Sequence, residues 1–129
     1  MPPPLSEAQL EIMNVVWDRG AVTVGEVWQE LSARRPVARN TVQTLITRLE
    51  EKGWLRHSGE GSVFRYQALH PREATVRRLA RRLVETAFGG SARGLVLALL
   101  EDETLSRSEA EEIRELIRRA EIEPAGREA

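Results

Sequence analysis

Between Ser6 and Ala68 the chain carries three apolar stripes at helical spacing, each stopped by glycine or proline. Two short alternating segments follow at once, joined by Gly59-Glu60-Gly61. This order leaves few folds open, because three short amphipathic helices can bury their stripes in one shared seam. The first stripe is Leu10, Met13, Val16 and Trp17, opened by the capping-box spacing of Ser6-Glu7-Ala8-Gln9 and ended at Arg19-Gly20. The second is Val24, Val27, Trp28 and Leu31, opened by a second box at Thr23-Val24-Gly25-Glu26 and broken by Arg34-Arg35-Pro36. The third, Val42, Leu45, Ile46 and Leu49, stops at Lys52-Gly53. The alternating segments are Trp54 to Ser58 and Ser62 to Ala68; in the second, Phe64, Tyr66 and Ala68 form an apolar face.

Helix, helix, helix and hairpin in that order predict a winged helix-turn-helix. Burying one seam frees the outer face of the third helix to enter a DNA major groove about 12 Å wide. That face shows Thr41, Gln43, Thr44, Thr47 and Arg48, short hydroxyls, amides and a guanidinium group suited to base edges and phosphates. Arg39 and Asn40 stand at its N-terminus, where the helix dipole favours a phosphate. The hairpin would lie along the adjacent backbone as a wing, with Arg56 and Arg65 flanking its tip. The candidate DNA contacts are therefore Arg39, Asn40, Thr41, Gln43, Thr44, Arg48, Arg56 and Arg65. The rival reading is a winged-helix protein-interaction module without DNA binding.

The charge pattern tests that choice. The net charge of −1 argues mildly against a polyanionic partner, but it is a cancellation. Residues 34–65 carry seven bases and three acids, and residues 66–82 five arginines against Glu73. Residues 1–33 hold one base and five acids, and residues 83–129 six bases and eleven acids. A basic middle lies between two acidic ends.

Several classes are excluded. With no cysteine there is no disulfide framework, thiol nucleophile or cysteine-based zinc site. No apolar run approaches the roughly 20 residues that span a bilayer. Met1-Pro2-Pro3-Pro4 lacks the regions of a signal peptide, so the expectation is a soluble, cytoplasmic protein with no membrane partner. No nucleophile-and-base arrangement, phosphate loop or metal spacing appears, so neither an enzyme nor a cofactor is expected.

Three further helices are predicted after His70-Pro71. Val76, Leu79, Ala80, Leu83 and Ala87 stripe the first, which ends at Gly89-Gly90. Leu95 to Leu100 is apolar all round, which a helix tolerates only when buried on most sides. A third capping box, Ser106-Arg107-Ser108-Glu109, opens a helix striped by Ala110, Ile113, Leu116, Ile117 and Ala120. Such broad apolar faces call for a partner, since burial is worth roughly 25 cal/mol per Å². A two-fold dimer would also match a palindromic site. The predicted dimer contacts are Leu79, Leu83, Leu95, Leu97, Leu99, Ile113, Leu116 and Ile117. The fold expected is mainly α with a small β-hairpin: a winged-helix domain over residues 1–70, a three-helix dimerisation arm over 71–123 and a disordered tail over 124–129.

Two stretches carry a family resemblance. Glu11-Ile12-Met13-Asn14, with Trp17, Gly20, Thr23-Val24 and Glu26-Val27, resembles the start of the penicillinase and methicillin-resistance repressors (the BlaI/MecI type). So does Asn40-Thr41-Val42-Gln43-Thr44-Leu45-Ile46-Thr47-Arg48-Leu49 with Lys52-Gly53, and the family's Gly-Gly hinge and Leu-Val-Leu motif have counterparts in Gly89-Gly90 and Leu95-Val96-Leu97. The resemblance covers nearly the whole chain. It implies a homodimeric repressor on a double-stranded palindromic operator with TACA/TGTA half-sites, controlling a β-lactam resistance operon. It also implies a regulatory protease cutting an Asn-Phe pair, where this chain has Ala98-Leu99 as the candidate cleavage position. That departure leaves room for a repressor of the same scaffold answering a different signal. The copper-binding branch of the family uses C-terminal cysteines, which are missing here. Ala38 stands where a relative offers a serine N-cap, a loss of about 1 kcal/mol of helix stability.

Some residues have plainer readings. Trp17, Trp28 and Trp54 fit core packing better than base stacking, beside core leucines as they are. His57 and His70 lack the spaced carboxylates of a metal site. Arg77, Arg78, Arg81 and Arg82 form a solvated face, a phosphate contact or a partner for the acid-rich last helix.

Overall fold

The computed structural model describes residues 2–59 and 63–122. Among these the elements run α1 (Glu7–Arg19), α2 (Val24–Ser32), α3 (Arg39–Glu51), β1 (Leu55–Ser58), β2 (Arg65–Ala68), α4 (Arg72–Ala87), α5 (Ala92–Glu101) and α6 (Arg107–Ile122). The fold is thus mainly helical with one antiparallel hairpin. The chain forms two compact units that divide between Ala80 and Arg81, inside α4.

The first unit is organised around one apolar cluster. Val27 and Leu31 of α2, and Val42, Ile46 and Leu49 of α3, are buried together with Trp54, Leu55 and Tyr66 of the hairpin region. Helix α1 differs from its predicted stripe. Its buried residues are Gln9, Ile12, Met13, Val15 and Val16, whereas Leu10 and Trp17 are only half-buried. The reason is that α1 packs against α2, α3 and β2 together, so a wider arc than one stripe is covered. Gln9 keeps its amide oxygen satisfied by the Ser6 N–H at 3.0 Å, while the Ser6 hydroxyl accepts from the Gln9 N–H. Thr23 and Glu26 close the second box in the same reciprocal way, at 3.1 and 2.9 Å.

The three tryptophans are structural anchors. Each indole N–H donates at 2.9 Å to a backbone carbonyl: Trp17 to His70, Trp28 to Val37 and Trp54 to Pro3. The Trp28 bond crosses the turn between α2 and α3, so it fixes the approach to the third helix. His70 stacks edge-on against Trp54, with ring centroids 5.2 Å apart.

The hairpin is shorter than its sequence pattern. β1 starts at Leu55 because the Trp54 N–H is used to close the end of α3, donating to the Leu49 carbonyl at 2.9 Å. β2 starts at Arg65, and Val63 and Phe64 precede the ladder, partly exposed. The register pairs Leu55 with Ala68, Arg56 with Gln67, His57 with Tyr66 and Ser58 with Arg65. A bridge that the pattern did not reveal joins Val22 to the other edge of Tyr66, with bonds of 3.0 and 2.7 Å. A one-residue strand has no period to detect. At Gly59, φ is +107° and a Cβ would stand 2.6 Å from the Val63 carbonyl oxygen, so only glycine fits where the chain turns into the wing tip. Glu60-Gly61 of the predicted turn and Ser62, the first residue of the predicted second segment, lie outside the described residues, as do Glu123 and the predicted tail over 124–129.

In the second unit α5 is capped by Ser91, whose hydroxyl accepts from the Gly94 N–H at 3.0 Å. The hydroxyl half of the third capping box forms at α6, where the Glu109 N–H donates to Ser106 Oγ at 3.1 Å. Neither α5 nor the described part of α6 buries a residue. Leu100, Leu116 and Ile117 are 51%, 61% and 53% exposed, and Leu83, Val96 and Leu97 are exposed as well. Leu79, Leu95, Leu99 and Ile113 are half-buried. No single helix among the described residues is long and apolar enough to cross a membrane.

Candidate nucleic-acid interface

Helix α3 turns Val42, Ile46 and Leu49 into the core and leaves its other face to solvent. Arg39, Asn40, Thr41, Gln43, Thr44, Thr47 and Arg48 are all exposed on it. Its N-cap is Ala38, and no side chain accepts a hydrogen bond there. The Thr41 N–H donates to the Ala38 carbonyl at 3.1 Å, while the Arg39 and Asn40 amides before it keep their donor capacity for water or an anion, and the dipole favours negative charge at that end.

This outer face is divided into two rows by what lies beside it. Gln43 and Thr47, with Arg39 before them and Glu50 after them, line a hollow of about 580 Å³. Thr23, Val24 and Gly25 at the start of α2 form its second wall, and His57, Val63, Phe64 and Tyr66 of the wing form its third. Asn40, Thr41, Thr44 and Arg48 belong to the other row, where with Leu45 they line a shallower hollow of about 290 Å³. The structure thus brings the six candidates of α3 onto one face but gives them two settings. Thr47, outside the candidate set, sits in the first row: its hydroxyl donates to the Gln43 carbonyl at 2.9 Å and accepts from the Gln43 amide at 3.4 Å.

The charges suit an anion. Among the described residues, no carboxylate lies within ion-pair distance of Arg39, Arg48, Lys52 or Arg56. Arg39 places its guanidinium by Gly25, where a built Cβ would meet it at 3.4 Å. Arg65 is the exception, 3.4 Å from Glu26, whose other oxygen faces Arg19 at 3.6 Å. The Glu26 carboxyl is held below its ordinary pKa first by the Thr23 N–H and then, against some desolvation, by Arg65 and Arg19. On the wing's inner side, burial and the charge of Glu50 push the Tyr66 hydroxyl above its ordinary value, opposed by a hydrogen bond from Gln43. His57 bonds to Glu50 and not to a second histidine, and among the described residues no cluster suited to a metal occurs. Periodicity already places Thr47 on the exposed face of the third helix, but not that it meets His57, Phe64 and the α2 start, because only the position of the wing makes them neighbours.

Three packed helices, an exposed third helix with an open N-terminus and a hairpin beside it define a winged-helix protein with a basic outer face. Comparison with known proteins narrows the class. The family model for the penicillinase repressor matches residues 5–119, and the chain belongs to that family. It is 31% identical over 115 residues to the penicillinase repressor of Bacillus licheniformis, covering 89% of this chain and 90% of that one. It is 28% identical over 113 residues to the methicillin resistance regulatory protein MecI of Mammaliicoccus sciuri, covering 88% and 92%. Among solved structures it is similar to the monomeric form of Bacillus licheniformis BlaI in complex with the blaP half-operator. The identity there is 37%, with 57% of this chain and 89% of that chain covered and a TM-score of 0.50.

Proposed function

We propose that this chain is a transcriptional repressor that binds operator DNA through α3 and the wing. One observation carries the reading. The face of α3 that the core leaves free joins an uncapped N-terminus to Arg39, Asn40, Thr41, Gln43, Thr44 and Arg48, in a member of the penicillinase repressor family. The role is binding, with α3 in the major groove and Arg56 and Arg65 on the adjacent phosphates. Kinship with a repressor solved on its half-operator supports it.

The reading extends to assembly and target. The exposed Leu83, Leu97, Leu116 and Ile117 of α4, α5 and α6, with the half-buried Leu79, Leu95, Leu99 and Ile113, are the surface for a second copy. Two copies related by a two-fold axis would read a palindrome of TACA/TGTA type, and the operon would be one for β-lactam resistance. One observation favours a different inducing signal. Ala98 and Leu99 stand where the type repressors have the Asn-Phe cut, and here they lie within α5, so any protease needs that helix to open first.

The test is a gel-shift titration of wild type and Arg48→Ala on matched and scrambled operators. If Arg48 reads a base, affinity for the matched site falls by about 1–3 kcal/mol and discrimination narrows. If it touches phosphate, affinity falls evenly and the salt slope flattens by about one unit. No change on either DNA overturns the placement of α3 in the groove.

A further inference from the structure

One carboxylate of the third helix holds the first wing strand, beside the Gln43 hydrogen bond that reaches Tyr66 on the second. Glu50 Oε2, near the end of α3, accepts from the His57 backbone N–H at 3.0 Å and lies 2.6 Å from His57 Nδ1. The same imidazole stacks on Phe64 with ring centroids 4.3 Å apart and lies 5.7 Å from the ring of Tyr66. His57 and Tyr66 are ladder partners, so they share the sheet face turned toward α3. By the same alternation Arg56 and Arg65 belong to the opposite face. What fixes the inner face therefore aims the outer one.

The hairpin needs such an anchor. Its strands have four residues each, and two short strands alone are marginally stable. Tyr66 secures β2 through Val22 and the core, but β1 beyond Leu55 is exposed, and Glu50 is its attachment to α3. Both members of the pair are partly exposed, at 39% and 30%, so the contact adds little to global stability. Its consequence is orientation.

Building on the DNA-binding reading above, we propose that Glu50 and His57 form a latch that positions Arg56 and Arg65 for the DNA backbone. They are positioning residues and do not themselves touch DNA. Removing the latch then acts only through the wing arginines.

The experiment is a cycle of Glu50→Ala, the pair Arg56→Ala with Arg65→Ala, and all three together, each titrated on operator across a salt series. Glu50→Ala is expected to flatten the salt slope by about one unit per lost wing phosphate contact. In the background lacking both arginines it should change nothing further. Glu50→Gln keeps an acceptor for the His57 N–H and should recover part of the loss. In DNA-free protein, amide exchange at His57 should speed at least about tenfold in Glu50→Ala, while Ile46 and Leu49 stay protected. Additive losses, or an unchanged salt slope, overturn the latch while leaving DNA binding in place. A wild-type chain without salt-dependent DNA affinity overturns the DNA-binding reading and the latch with it.

Discussion

The two units of this chain are both built largely of helix and put it to opposite effect. In the first, residues from α1, α2, α3 and the hairpin bury one another almost completely, with Ile12, Met13, Val27, Ile46 and Leu49 fully inaccessible. In the second, α5 is the most apolar stretch of the chain and buries no residue, and α6 exposes Leu116 and Ile117 over half their surface. The contrast teaches that a helix's apolar content does not say where its cover comes from. The first unit supplies its own cover, and the second presents a surface whose stabilisation, on the reading above, comes from another copy.

Three perturbations set the units against each other. The largest effect is expected for Ile46→Ala, which opens a cavity where α3 meets the core. It should cost about 2–5 kcal/mol in denaturant unfolding followed through the tryptophans, all of which lie in the first unit. An equal loss from Leu116→Ala in dilute protein would erase the contrast. Next is Leu116→Glu combined with Ile117→Glu. It should halve the mass seen by sedimentation and weaken operator binding by about 2–4 kcal/mol, while leaving the unfolding of the first unit unchanged. Retention of the wild-type mass would sink the assignment of α6 to the dimer contact.

The smallest effect concerns pH and the Thr23–Glu26 box. The folded-state pKa of Glu26 is depressed, so its contribution is full above the carboxyl's unfolded value and is lost as pH falls through the folded one. Glu26→Gln should therefore remove part of the acid-side decline in thermal stability below about pH 4.5 and leave the neutral range nearly level. An identical acid decline in wild type and variant would contradict the box as its source.

Much of this was legible in residues that act on near neighbours. Ser6 with Gln9 and Thr23 with Glu26 set two helix starts because a capping box needs only a three-residue spacing. The stripe of Val42, Ile46 and Leu49 told which face of α3 is buried, and so which face holds Asn40, Gln43, Thr44 and Arg48. What was hidden depends on contacts distant in sequence. Val22 pairs with Tyr66 across more than forty positions, Glu50 meets His57 across a turn, and the rows of α3 separate only because the wing stands on one side. The start of β1 differs from the pattern because Trp54 alternates like a strand residue while its N–H closes a helix.

The central claim is that the first unit reads DNA and the second is completed by another copy. Native mass spectrometry of the full chain with a palindromic TACA/TGTA operator, beside a scrambled duplex of equal length, tests both halves at once. The account predicts two chains on each operator and little complex on the scrambled duplex at the same ionic strength. One chain per operator, or equal occupancy of both duplexes, would contradict it.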